Sequence, residues 1–429
     1  MVPCQRNSHF TGRKELLKTL QQKLSDQQPQ HYNHRVALYG LGGVGKTQLA
    51  LQYVYEHQND YDAVFWISAA DKETLQLGFQ EIARIIGCAA NLHRTGNTSE
   101  VVRVVLSWFR QQTNWLLVLD NLDDIRVVGD SSLNETSYLP EMKRGGHVLV
   151  TTRDPNVDGI PAQGLEIDVF GIDDTIEFLL LRSQARCEYS SSRDSRELDI
   201  TAAANKIVQE LGLLALAIEQ AAAYIREECK DIFKYLSLYT SNRRALLHRI
   251  PRGSWHYQNH QSVATTWNMS FQVLQTTNPA AIKLLRLFVF LGLDDISLDF
   301  VLEGQAGSPR GLGNLINNSF DLNRALASLE QFSLIRRSER GNVVSIHRLV
   351  RSVIEVGMSK EERDAFEDVV VDLWDSALPE MSLSIEVDVL TVKRHFILQI
   401  LYPLMVRSRV FDSAQRLPFL RRVRFWLFQ

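Results

Sequence analysis

The chain has 429 residues, 45% of them hydrophobic and 23% charged, with a formal net charge of -3. That length calls for several domains, each with its own core, and the composition is ordinary for soluble globular protein. The charge balance offers no general attraction to polyanions, so nucleic acid is not the expected partner. Residues 1–10 lack the apolar core of a secretory signal, and the apolar runs at 284–293 and 398–406 are far short of a membrane span. A cytoplasmic location is expected. Cys4, Cys88, Cys187 and Cys229 lie far apart with no Cys-x-x-Cys pair, and are read as reduced thiols rather than a disulfide framework or a zinc site.

Residues 1–34 lead into a first strand. From 35 to 170, short β-branched apolar runs at 36–39, 63–67, 116–119, 148–151 and 166–169 alternate with helical periodicity at 48–56, 72–86 and 99–111. This alternation predicts an α/β domain, a mostly parallel sheet flanked by helices. Beyond Gly171 the strand signal ends and helical spacing takes over at 175–186, 198–211, 216–226 and 232–239, which makes 171–260 a helical subdomain. Pro251 and Gly253 interrupt that periodicity within 249–261 and mark a boundary. Residues 261–358 read as helices, then short strands at 334–337 and 343–347 around Arg340, Gly341 and Asn342, then a helix from Arg348: a winged helix is expected. Residues 359–429 open with an amphipathic stretch at 360–378 and end in the basic, aromatic run 416–428.

The most specific signal is Gly40-Leu41-Gly42-Gly43-Val44-Gly45-Lys46-Thr47, set between a predicted strand and a predicted helix. That placement defines a phosphate-binding loop. Its glycines let successive N–H groups, with those of Val44 and Gln48 in the cradle, point at phosphate oxygens while the helix start adds partial positive charge. The bound group is expected to be a purine nucleoside triphosphate or diphosphate, with Lys46 reaching the β and γ phosphates and Thr47 on Mg2+. Asp120, closing the run Trp115-Leu-Leu-Val-Leu, supplies the carboxylate of the magnesium shell. Asn121 stands next, where an acidic base would activate water, and an amide cannot accept that proton. Asp123 and Asp124 stay open as substitutes for that base, although capping or solvated turn positions are their commoner role. Slow hydrolysis is the expected consequence. Arg153, after the apolar run 148–150 and two threonines, points at the γ-phosphate if its strand lies beside that of the loop. Lys46, Asp120 and Arg153 are thus the candidate catalytic set.

Five further segments make these residues resemble the NB-ARC branch of the STAND nucleotide switches. Phe10-Thr-Gly-Arg13-Lys-Glu15 is similar to the adenine-side Gly-Arg-Glu signature, and Ala63-Val-Phe-Trp-Ile-Ser68 to the second strand. Leu119-Asp-Asn121 is similar to the fungal form of the acidic strand end. Leu211-Gly-Leu-Leu214-Ala215-Leu-Ala217 resembles the Gly-Leu-Pro-Leu motif of the helical subdomain, and Ile346-His347-Arg-Leu-Val350 the Met-His-Asp motif of the winged helix. The resemblance covers roughly residues 8–375. It implies that Arg13, Leu214 and Ala215 lie near adenine and that His347 meets the β-phosphate. It also implies a switch closed with ADP and open with ATP, whose open form builds a homo-oligomer and engages an effector protein. Moving a two-state equilibrium from 1:99 to 99:1 takes about 5.5 kcal/mol, the work of two or three hydrogen bonds to charged groups at about 1.5–3 kcal/mol each.

The chain departs from the family at three points. Ala215 replaces the usual proline, which predicts a looser backbone near adenine. Arg348 replaces the familiar aspartate. No effector region is legible before Phe10 and no repeat array after the winged helix, so 359–429 is expected to be the helical start of a truncated region. Other readings stay open. A DNA-binding ATPase would need a basic recognition helix, and the helix after His347 offers Arg348 and Arg351, then Glu355, Lys360, Glu361 and Glu362. A turnover ATPase or small-molecule kinase would need a base or a second substrate site. A scaffold would hold nucleotide as structural support.

Overall fold

The computed structural model describes residues 2, 6–7, 10–25, 34–88, 98–129, 137–141, 145–156, 162–185, 193–249, 262–291, 296–305, 319–338 and 342–377. The chain divides into two compact units, Met1–Thr266 with Gln331–Ser333, and Trp267–Glu330 with Leu334–Gln429. The boundary segment at 250–261, the turn residues Arg340 and Gly341 and the basic run at 416–428 lie outside the described residues.

In the first unit, strands β1 (Arg35–Tyr39), β2 (Ala63–Ser68), β3 (Trp115–Asp120), β4 (His147–Thr152) and β5 (Gln163–Glu166) form one sheet in the order β2-β3-β4-β1-β5. Every pairing is parallel, as the alternation of strands and helices predicts. The central strands are apolar on both faces because helices cover both. Helix α2 (Lys46–His57) follows β1, α3 (Lys72–Ile85) follows β2, and α4 (Thr98–Gln111) precedes β3. Asp71 starts α3 with a capping box, accepting from the Thr74 amide at 2.8 Å while its own amide donates to the Thr74 hydroxyl. The spacing of Leu75, Phe79 and Ile82 then places all three on the buried face. Phe109 of α4 meets Phe65 edge-on at 5.6 Å and lies 4.5 Å from the Trp115 ring. Each such buried side chain contributes about 1.5–3 kcal/mol.

The last strand of this sheet differs from the expectation of 166–169. Pairing to β1 begins with Val36 opposite Gln163 and ends with Tyr39 opposite Glu166. Ile167, buried and apolar, still donates its amide to Tyr39 O at 2.8 Å, but the chain leaves the sheet there. Its hydrophobicity reflects burial beyond the strand end.

Helices α5 (Ile172–Ser183), α6 (Arg193–Glu210), α7 (Ala215–Tyr224), α8 (Ile232–Ser241) and α9 (Arg243–His248) follow, as the change of periodicity at Gly171 implies. Arg182 of α5 and Glu219 of α7 form a buried ion pair, with Nε donating to Oε2 at 2.7 Å.

The second unit holds α10 (Val263–Thr277) from Trp267 onward, α11 (Pro279–Phe290), α12 (Leu298–Gln305), α13 (Ser319–Gln331) up to Glu330, α14 (Arg348–Gly357) and α15 (Lys360–Ala377). Asn278 caps α11, with Pro279 at the first helical position where it lacks no needed donor. Strands β6 (Ile296–Ser297), β7 (Arg336–Arg337) and β8 (Val343–Ser345) make an antiparallel sheet in the order β6-β8-β7. The β7–β8 pair is the expected hairpin, shorter than the apolar runs; β6 has no sequence signal because it is two residues long. Among the described residues no helix is long and apolar enough to cross a membrane.

Candidate functional site

The order of the sheet positions the site. β4 lies between β1 and β3, so the loop leaving β1 and the carboxylate ending β3 flank the end of β4. Gly40–Thr47 turns directly from β1 into α2, and Gly45 at the helix start has φ +103°, a conformation costly for other residues. The Lys46 ammonium folds back into the loop and donates to Gly40 O at 2.6 Å and Leu41 O at 3.1 Å. Burial pushes its pKa down to about 7; Asp123 and Asp120 oppose that, while Arg153 and Arg13 add to it. A phosphate chain arriving there would favour the charged form of that lysine.

Thr47 donates its hydroxyl to Asp120 Oδ1 at 2.9 Å, and Thr151 donates to the same oxygen at 2.6 Å. Burial pushes the Asp120 carboxyl up, and those two hydroxyls and the Lys46 charge pull it back. The structure thus brings together the two residues read as magnesium ligands. A hydroxyl and a carboxylate at this spacing suit a hard cation. Among the described residues no group of three His, Cys, Asp or Glu is placed to hold a metal, so a cation here would complete its shell with phosphate and water.

Asn121 has φ +66°, and its amide donates to Thr151 Oγ1 at 2.8 Å. Asparagine is among the residues that tolerate this left-handed conformation, so position 121 has a backbone reason for its residue beside the chemical one. Asp124 caps the short helical turn Ile125–Val128, accepting from the Arg126 amide at 3.0 Å, in keeping with the capping reading. Asp123 is neither cap nor solvated turn. Its carboxylate accepts from the Arg153 amide at 2.8 Å and lies 3.2 Å from Arg153 Nε. Arg153 is 7% exposed and its Nη1 donates to Thr266 O at 3.1 Å.

The segments expected near adenine converge on the loop from two directions. Arg13, at φ +60°, donates through Nη2 to Val44 O at 2.8 Å and Asp168 O at 2.9 Å, and its guanidinium covers the Phe170 ring at 4.3 Å. Its Nη1 is buried with no hydrogen-bond partner, a donor that an acceptor on a bound ligand would satisfy. Asn7 donates to the Gln48 side chain at 3.0 Å. From the helical side, Leu216 N donates to Gly43 O at 3.1 Å, and Leu214 starts α7 in extended conformation. Ala215 is the first helical residue, a position where proline's fixed φ would match the helix itself. Gly42 lies buried within the same loop.

His347 belongs to the second unit, where its Nδ1 accepts from the Leu349 amide at 3.3 Å and caps α14. Arg351, counted toward a basic recognition helix, is buried in that unit and donates to Leu291 O at 3.0 Å. Its charge is spent on packing within the unit. Phe170, Thr151 and Thr266 carry no sequence signal for the site. Phe170 is one aromatic before a glycine, Thr151 depends on strand register, and Thr266 enters through its backbone carbonyl on helix α10.

A parallel sheet with this loop, lysine, threonine and aspartate at its carboxyl edge defines a P-loop nucleotide-binding domain. Residues 13–186 match the NB-ARC domain family, and over those residues the chain belongs to it. Residues 272–363 match a domain of unknown function, DUF7779. A nucleotide-binding leucine-rich repeat (NLR)-like protein of Hyaloscypha variabilis is 30% identical over 370 residues, 82% of this chain and 35% of that relative. The chain therefore spans about a third of the length of this relative. Among solved structures, the ORC2 protein of Aeropyrum pernix in ADPNP–ADP complexes aligns with 84% of this chain and 95% of its own, at 15% identity and TM-score 0.41. A STAND protein of Pyrococcus horikoshii with a tetratricopeptide repeat sensor aligns with 98% of this chain and 58% of its own, at 14% identity and TM-score 0.35.

Proposed function

We propose that the chain is the nucleotide-holding part of a signalling switch. ADP keeps it closed; ATP opens it, and the open form assembles with further copies and engages an effector. The observation that carries this reading is the meeting of sheet and helical subdomain on one loop: Lys46, Thr47 and Asp120 from the sheet side, Leu214–Leu216 through the bond to Gly43 O. A nucleotide held there touches both and can report its identity to both. Thr47 and Asp120 would hold magnesium, which when bound neutralises phosphate charge. The helices and short antiparallel sheet of the second unit support a winged-helix reading of that part, with His347 at the start of its last but one described helix. A cytoplasmic location fits this role.

Asn121 gives the switch slow hydrolysis, because no carboxylate follows Asp120 directly. Denaturing the purified protein is expected to release one ADP per chain, and the Lys46→Ala protein none. Steady-state turnover is expected below one per minute, rising in Asn121→Asp, a change that the left-handed backbone at 121 tolerates. An empty site in the unmodified protein would overturn the switch; several turnovers per second would make it an enzyme instead.

A further inference from the structure

Arg153 is a buried cation, and a buried guanidinium needs an anion in every state the protein visits. With a triphosphate, the third phosphate can serve; with a diphosphate or none, something else must. Asp123 is built for that task. One carboxylate oxygen takes the Arg153 amide at 2.8 Å, fixing the aspartate to the end of β4, and the other faces Arg153 Nε at 3.2 Å. Of the charges acting on the Lys46 ammonium, Asp123 is the strongest and Arg153 the next.

We propose that Asp123 is an internal competitor for Arg153, a carboxylate that holds the guanidinium when no third phosphate is present and so sets the preference of the site between ADP and ATP. To a guanidinium, carboxylate and phosphate are the same kind of partner, a planar or tetrahedral oxyanion met by parallel N–H bonds. A third phosphate must take the arginine from Asp123 and also bring its own charge near that carboxylate. Both effects favour the diphosphate. The proposal rests on the reading of Arg153 as the γ-phosphate contact.

Calorimetric titration of the full chain with Mg-ADP and with a magnesium-bound, non-hydrolysable ATP analogue tests it, using the unmodified protein, Asp123→Asn, Arg153→Gln and the double variant. Asparagine keeps an oxygen for the Arg153 amide, removes the charge and puts a donor NH2 where the carboxylate faced Arg153 Nε. Asp123→Asn is expected to improve the affinity for the analogue relative to ADP tenfold or more, the weight of one hydrogen bond to a charged group. Arg153→Gln is expected to lower the same ratio, and Asp123→Asn to have a clearly smaller effect in that background, where only its repulsion of the third phosphate remains to be relieved. An equal change for both nucleotides, or an undiminished effect in the double variant, would overturn the proposal. If Arg153→Gln leaves the ratio where it was, Arg153 is not the phosphate contact and the reading beneath the proposal fails instead. Thermal melts establish that each variant is folded; should Asp123→Asn fail that check, Asp123→Ser, which also offers the amide an oxygen, takes its place.

Discussion

Replacing Lys46 with alanine is expected to weaken nucleotide binding by about a hundredfold or more, since two hydrogen bonds from one ammonium to phosphate oxygens amount to about 3 kcal/mol at least. The pH dependence makes the test specific. In the ligand-free protein burial holds the lysine near pKa 7, so it is about half charged at neutral pH. Phosphate favours the charged form and raises that pKa toward the ordinary lysine range. The bound state then holds more protons than the free state above pH 7. Affinity should be flat below that pH and fall by up to tenfold per unit above it, until the bound pKa is reached. Calorimetry in buffers of different ionisation enthalpy should find close to one proton taken up per site near pH 8.5, and none in Lys46→Ala. The same slope in both proteins would assign the titration to another group.

Gly40→Ala is expected to be the most damaging substitution among the loop's three glycines at positive φ, with a loss above about 3 kcal/mol of stability. Gly40 has φ +141°, and a Cβ there would lie 2.4 Å from Ile167 O. That carbonyl cannot retreat cheaply, because the amide of the same residue is bonded to Tyr39 O at 2.8 Å. At Gly43 an added Cβ would lie 3.1 Å from Leu216 Cβ, a milder overlap that a shift of a few tenths of an ångström relieves. At Gly45 the nearest atom, Ala215 Cβ, is 3.9 Å away, so only the positive φ opposes substitution, at about 1–2 kcal/mol. Urea midpoints should fall most for Gly40→Ala, less for Gly43→Ala and least for Gly45→Ala; equal losses would contradict this geometry.

Much of the site is legible in the sequence because its pieces are local. A glycine-rich turn between a β-branched run and a helix leaves little choice of conformation, and an apolar strand ending in aspartate places Asp120 at the carboxyl edge. The order of the sheet is not local, yet the expectation for Arg153 depended on it; β4 pairs with β1, as that expectation required. The Asp123–Arg153 pair escapes a linear reading, since it needs the register of β4 against β3 and the turn at Asn121 together. Arg13 shows a different limit. Its signature is readable, but the left-handed backbone that turns it onto Phe170 and Val44 is set by packing around residues 168–170, far along the chain. In the second unit the strands are two or three residues long, too short for periodicity to mark, and the apolar runs overstate them.

The central claim is that nucleotide identity decides the state of the chain. Its most direct test is the solution mass of the purified protein, measured by light scattering with saturating Mg-ADP and then with a non-hydrolysable ATP analogue and magnesium. A single-chain mass with ADP and a multiple of it with the analogue, lost in Lys46→Ala, is the expected result. The same mass with both nucleotides, each bound at full occupancy, would contradict it.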